Sequence, residues 1–241
     1  MRAETRHSLK EDRFSKTTIR VAEDTVHWTV EHQKTLTIGG IVLAVIAALA
    51  IGGWYYLGSQ NEKASLEFGA ATRTMETPVR PPGVPAQPEY QSFASTQERA
   101  TEARKQFQAI VDKYPHTKTA DMARYFVGLT SSDLGDNAAA ERNLQEVAGS
   151  SNKDVAALAK FALAAVYRQE KKDAQAVDVY KQLIDKPTDT VSKATAQFEL
   201  ADFYEAQQKP DEAKRIYEQV AKDNPSSQAA TLAKQKVAQL K

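Results

Sequence analysis

Cysteine is absent from the 241 residues. Its absence excludes disulfides, thiolate metal sites and cysteine nucleophiles, but it does not locate the protein, because exported chains without cysteine are common. An excess of either charge is absent too: 32 Lys and Arg stand against 31 Asp and Glu, and the part after residue 35 carries 25 of each. Without a basic field there is no general attraction for phosphates, so nucleic acid is not an expected partner. Glycine-rich phosphate loops, nucleophile elbows and paired-histidine motifs are also missing. Of the four histidines, His27 lies between Glu23 and Glu31 at a spacing that shares one helix face. With no further ligand close in sequence, that trio reads as a solvated charged face rather than a metal site. No catalytic, cofactor or metal residue is assigned, and an enzyme is not expected.

Long apolar runs are absent with one exception, LTIGGIVLAVIAALAIGGWYYL at residues 36–57, which has no charged residue across 22 positions. At a rise of ~1.5 Å per residue it is ~33 Å of helix, enough for a hydrocarbon core of ~30 Å. Trp54, Tyr55 and Tyr56 gather at one end, where amphipathic rings favour the headgroup layer. The run reads as a transmembrane helix that brings the chain into contact with a lipid bilayer. Ala48-Leu49-Ala50 resembles a signal cleavage site, but the polar segment before it is long for a signal and the apolar run continues past it. Seven basic residues precede the run, against Lys63 and Arg73 in residues 58–77, which favours a cytoplasmic N-terminus and an exported C-terminal domain. Gly40, Ala44, Ala48 and Gly52 recur at every fourth residue, a small-residue face open to two readings: a partner-helix interface or compositional accident.

Proline is scarce outside one stretch, with five of the nine falling in residues 78–88. No helix or central strand survives that density, so 77–90 is expected to be a loop. The chain thus divides into a tail at 1–35, the span at 36–57, a helix leaving the membrane at 58–76, the loop, and helical sequence from 91 onward. In the tail, Ile19, Ala22, Val26 and Thr29 or Val30 have the spacing of a juxtamembrane amphipathic helix.

The helical part repeats. Ala103, Ala140, Ala176 and Ala213 occupy one column, and Phe107, Leu144, Tyr180 and Tyr217 follow four residues later. Val127-Gly128, Leu163-Ala164 and Leu200-Ala201 form another pair of columns, with Tyr167 and Tyr204 three residues beyond the small residue in two copies and Ser131 in the third. Pro115, Pro187 and Pro225 close three of four units. Each unit is a helix A, a turn and a helix B. The alanine lets the two helices approach, the large residue after it fills the gap to the next unit, and the proline stops helix B. Residues 226–241 carry Ala230, Ala233, Val237 and Leu240 on one face, as a capping helix does. The fold class is all-α: one transmembrane helix, an α-solenoid over 91–225 and a cap.

These columns resemble the tetratricopeptide repeat, whose usual period is ~34 residues. The order of parts, with HQKTLTIGG ahead of the span, Lys63-Ala64 and Phe68 after it and then the repeats, resembles the ancillary subunit of the bacterial Sec translocon. The resemblance implies a single-pass inner-membrane protein with a periplasmic repeat domain that binds translocon subunits, periplasmic chaperones or exported clients. An envelope adaptor for cell division or outer-membrane assembly is the alternative.

Tyr125, Phe161 and Phe198 recur on successive helices A, beside Leu129, Ala165 and Asp202 one turn later, with Arg168 and Glu205 a further turn on. In a solenoid this face tends toward the concave groove, where a peptide can lie on aromatic rungs. The same rings also suit packing between neighbouring helices A, and the sequence leaves both roles open.

Overall fold

Side-chain caps set the starts of the helices A. Thr117, Asn152 and Ser192 each accept a hydrogen bond from a backbone N–H two or three residues on, and so do Ser95 before a helix B and Ser227 before the last helix. Each satisfies a donor that the first turn of a helix leaves unpaired. Glu98 completes the arrangement at Ser95 by accepting from the Ala94 N–H at 2.6 Å.

The computed structural model describes residues 32–85 and 91–240; the juxtamembrane segment and the Glu23-His27-Glu31 trio lie outside them. Among the described residues the helices are α1 Gln33–Glu76, α2 Thr96–Lys113, α3 Lys118–Asp133, α4 Asn137–Ala148, α5 Lys153–Gln169, α6 Asp173–Asp185, α7 Lys193–Ala206, α8 Pro210–Asp223 and α9 Gln228–Gln239. The all-α class is borne out. The chain divides into two compact units, Met1–Tyr56 and Leu57–Lys241.

In the first unit α1 is the one helix among the described residues long and apolar enough to cross a membrane. Leu43, Leu49 and Trp54 are about 70% exposed or more. A bare apolar surface of this length is unfavourable in water and favourable in lipid.

In the second unit the repeat columns form the core. Ala103, Ala140, Ala176 and Ala213 have no exposed surface, and neither do Phe107, Leu144 and Tyr217. Successive helices from α2 to α9 pack against one another, and α3 also touches α5, so the helices A of the second and third repeats meet directly. The end of α1 supplies the helix A of the first repeat. Phe68 lies 5.4 Å from Phe107 and 5.6 Å from Phe126 between ring centroids, and Phe107 stacks on Phe126 at 4.9 Å. Glu67 accepts from Lys113 Nζ at 2.5 Å and Tyr114 Oη at 2.8 Å; these hydrogen bonds, Lys113 first, hold its carboxyl below the ordinary value. Between α1 and α2 the chain leaves on the proline segment and returns. A bridge pairs Val79 with Phe93, and the Arg80 N–H donates to Phe93 O at 2.9 Å. Pro82 and Gly83, the latter at φ +83°, fit the middle of a type II turn closed by Val84 N–H on Pro81 O.

Three A-to-B turns share one backbone form. The N–H groups of Asp136, Lys172 and Lys209 donate to the carbonyls of Ser131, Tyr167 and Tyr204 at 2.8–2.9 Å. The residue just before each donor adopts positive φ: Gly135 at 78°, Lys171 at 59° and Gln208 at 58°. This is the left-handed C-terminal turn that favours glycine, and a side chain there costs ~1–2 kcal/mol. Lys171→Gly and Gln208→Gly are therefore expected to raise stability by ~1 kcal/mol each, and Gly135→Lys to lower it by a similar amount. Denaturant unfolding of the full chain in detergent checks this; a loss of stability in both glycine variants would contradict the turn assignment.

Candidate protein-binding groove

The ring column lies on α3, α5 and α7. Tyr125, Phe161 and Phe198 are each half-buried, and Leu129 beside Tyr125 is half-buried too. Ala165, one turn beyond Phe161, is exposed. Each ring keeps one side on its own repeat. Phe161 meets Tyr180 edge-on at 6.4 Å, Phe198 tilts onto Tyr217 at 5.5 Å, and Tyr125 meets Phe126 at 5.3 Å. Packing thus accounts for part of each ring's surface and leaves the remainder uncovered.

The three polar residues of this column are more engaged than a solvated rim would be. Arg168 Nη1 lies 3.2 Å from Glu199 Oε2 and 3.4 Å from Tyr180 Oη, and the guanidinium stands over the Phe203 ring at 5.5 Å. One side chain on α5 thereby ties α6 to α7, with a bidentate-capable planar cation well suited to such stacking. Asp202 Oδ1 and Glu205 Oε1 stand 2.6 and 2.5 Å from Tyr217 Oη, a single donor that serves one carboxylate at a time. Lys236 Nζ, from α9, reaches both carboxylates at 2.9 and 3.4 Å and sits over the Tyr217 ring at 5.6 Å. Burial and the two carboxylates push the Tyr217 hydroxyl well above its ordinary pKa. For Asp202, burial opposes ionisation, but the hydrogen bonds from Tyr217 and Lys236 outweigh it and hold the carboxyl below its ordinary value. Asp202 and Glu205 therefore clamp the capping helix α9 to the last repeat while staying partly exposed beside Phe198.

The periodicity of the helices A does not reveal Lys236 or Glu199 as partners. Lys236 is 34 residues from Asp202 and lies outside the repeat columns; only a cation on the cap's otherwise small and apolar inner face hints at it. Gly40, Ala44, Ala48 and Gly52 lie along α1, and a Cβ on Gly40 or Gly52 would meet no atom within 4 Å.

Residues 27–241 match the family described as tetratricopeptide repeat-like domain, so the chain belongs to that family. The match begins ahead of the apolar run and includes it. The chain has no match among curated proteins. Among solved structures it is similar to a putative kinesin light chain of nearly identical tetratricopeptide-like repeats from Podospora anserina, at 15% identity, 75% of this chain, 86% of that one and a TM-score of 0.55. A tetratricopeptide repeat protein from Parabacteroides merdae aligns at 16% identity over 59% of this chain, with a TM-score of 0.46; the chain spans about half of that protein's length, 54%. At 15% identity the likeness to the Podospora anserina structure is one of fold. The fold is typically a non-enzymatic scaffold for protein–protein interaction.

Proposed function

We propose that the chain is a membrane-anchored adaptor that holds other proteins on the ring column of α3, α5 and α7. One contrast carries the reading. The rings and aliphatics that build the repeats, Phe107, Leu144, Tyr180 and Tyr217, are at most 1% exposed, whereas Tyr125, Phe161 and Phe198 stay open on one side. Half-buried aromatics in a row on successive helices suit a peptide lying across them, because aromatic anchors tend to dominate binding energy. Further support comes from the apolar helix joined to the repeats within one family match. With the seven basic residues ahead of the span, this arrangement favours a bacterial inner-membrane protein whose repeats face the periplasm. There it serves the exit side of the Sec translocon, receiving exported clients or periplasmic chaperones.

Replacing both Phe161 and Phe198 with alanine is expected to reduce recovery of partners at least tenfold in a detergent pull-down, with the span still localising the protein. A thermal melt of the same variant separates lost binding from lost packing, since losing buried ring surface costs up to ~3–5 kcal/mol per Phe. A folded double variant that recovers translocon or chaperone partners at parental levels would leave the rings as inter-repeat packing only.

A further inference from the structure

Away from the ring column, the second repeat lacks an aromatic ring that the next two repeats carry on helix A. The position filled by Tyr167 in the third repeat and Tyr204 in the fourth is Ser131 in the second. In the third repeat the slot is complete. Gln145 Nε2 donates to Tyr167 Oη at 2.9 Å, Lys172 lies over the ring at 5.7 Å, and Glu141 holds Lys172 at 2.6 Å. One repeat earlier the corresponding residues are Gln108 and Arg104 on α2, for Gln145 and Glu141 on α4, and Asp136 for Lys172. Arg104 and Asp136 form the same ion pair with its charges exchanged, at 3.4 Å.

Where the ring would stand, a cleft of about 410 Å³ opens between α2, α3 and α4. Ser131 forms part of its wall; the residue is fully buried and its hydroxyl has no hydrogen-bond partner. A buried hydroxyl left unpaired is unfavourable, so no hydrogen bond within the fold holds a serine at this position. Arg104, Lys105 and Arg142 line the cleft against a single acid, Asp136, which Arg104 already engages. Shape and charge thus point to different parts of one ligand. The slot matches a phenol ring by the template of the third repeat, with Gln108 in place of the amide that binds its hydroxyl; the Gln108 Nε2 donates to Asp112 at 2.8 Å and keeps a second N–H for the phenol, as Gln145 does beside Glu141. The surplus cations match carboxylates on either side of that ring.

We propose that this cleft receives a tyrosine side chain from an acidic segment of a partner polypeptide. It is a second contact, independent of the α3–α5–α7 column, so its failure would leave the ring-column reading untouched. Binding of a fluorescein-labelled peptide, Asp-Glu-Tyr-Glu-Asp, to the full chain in detergent micelles is read by fluorescence anisotropy. Saturable binding is expected, and it should weaken at least tenfold when the peptide's tyrosine is replaced by alanine. Ser131→Tyr supplies the ring in cis; it should keep the parental melting temperature or raise it, and weaken peptide binding at least tenfold. Arg142→Glu, at an exposed position, should weaken binding to a similar degree, and it reads the site even where the Ser131 variant disturbs folding. The proposal is overturned by equal binding of the alanine peptide, which reduces the cleft to a cationic patch. It is also overturned by a folded Ser131→Tyr chain or an Arg142→Glu chain that binds at the parental level, or by a parent that shows no saturable binding.

Discussion

Phe68→Ala is expected to destabilise the Leu57–Lys241 unit by ~3 kcal/mol, the lower end of the usual range because the ring is only half-buried. For a unit of this size that corresponds to a fall in melting temperature of ~6–12 °C. Phe68 is one of the side chains through which the end of α1 joins the repeats. It contacts Phe107 from α2 and Phe126 from α3, and Ala64 and Ala71, one turn to either side, are completely buried. Its removal leaves Phe107, which has no exposed surface, with a void on one side. The surrounding hydrogen bonds do not compensate, since Glu67–Lys113 is surface-exposed and worth little by itself. Leu66→Ala is the control: Leu66 is on the same helix but 75% exposed, so its removal should change stability by less than ~0.5 kcal/mol. Circular dichroism melts of the two variants decide the matter, and equal behaviour would mean that α1 does not complete the first repeat.

Gly128→Ala is expected to cost ~1–3 kcal/mol, although it adds a single methyl group to a helix and alanine is the better helix former. A Cβ on Gly128 would stand 2.6 Å from Leu144 Cγ and 2.8 Å from Cδ2. Leu144 is itself fully buried, so the branch point has nowhere to move. In the next two repeats the same two columns hold Ala164 with Tyr180 and Ala201 with Tyr217, and all four residues are buried. A flat ring leaves room for a methyl group where a branched side chain does not. Pairing Gly128→Ala with Leu144→Tyr is therefore expected to recover at least half of the loss. A double variant no better than Gly128→Ala alone, measured by denaturant unfolding, would show that the columns do not face each other as described.

The repeat was legible because a solenoid writes its packing into a period. Small residues that recur at 36–37 positions, each four ahead of a large one, do so because every unit closes the same helix-to-helix contact. All four alanines of that column are sealed in the core. The apolar run was legible for a simpler reason, since length and lack of charge suffice. The capping helix showed itself by one apolar face, and Ala230 and Ala233 are buried there. What lay beyond the sequence are contacts that break the period. Nothing in the columns points to Phe126 as the third ring beside Phe68 and Phe107. Nor do they suggest that Lys236 would occupy both Asp202 and Glu205, which read as polar groups at the edge of a groove. The left-handed turns at Lys171 and Gln208 were hidden for the opposite reason: glycine marks that backbone form only at Gly135, and the other two copies tolerate the strain with ordinary residues.

The central claim is that other proteins are held on the inner column of helices A. Site-specific photocrosslinking from Ala165 tests it most directly, because that residue is exposed beside Phe161 and its side chain supports no packing that the probe would disturb. Glu218, exposed on helix B α8, is the reference position. In membranes from cells making the full chain, the probe at 165 should give discrete, reproducible crosslinks to translocon subunits, chaperones or exported chains, and the probe at 218 should give few or none. Crosslinks of equal yield and pattern from both positions, or none from 165 with efficient crosslinking at 218, would contradict the account.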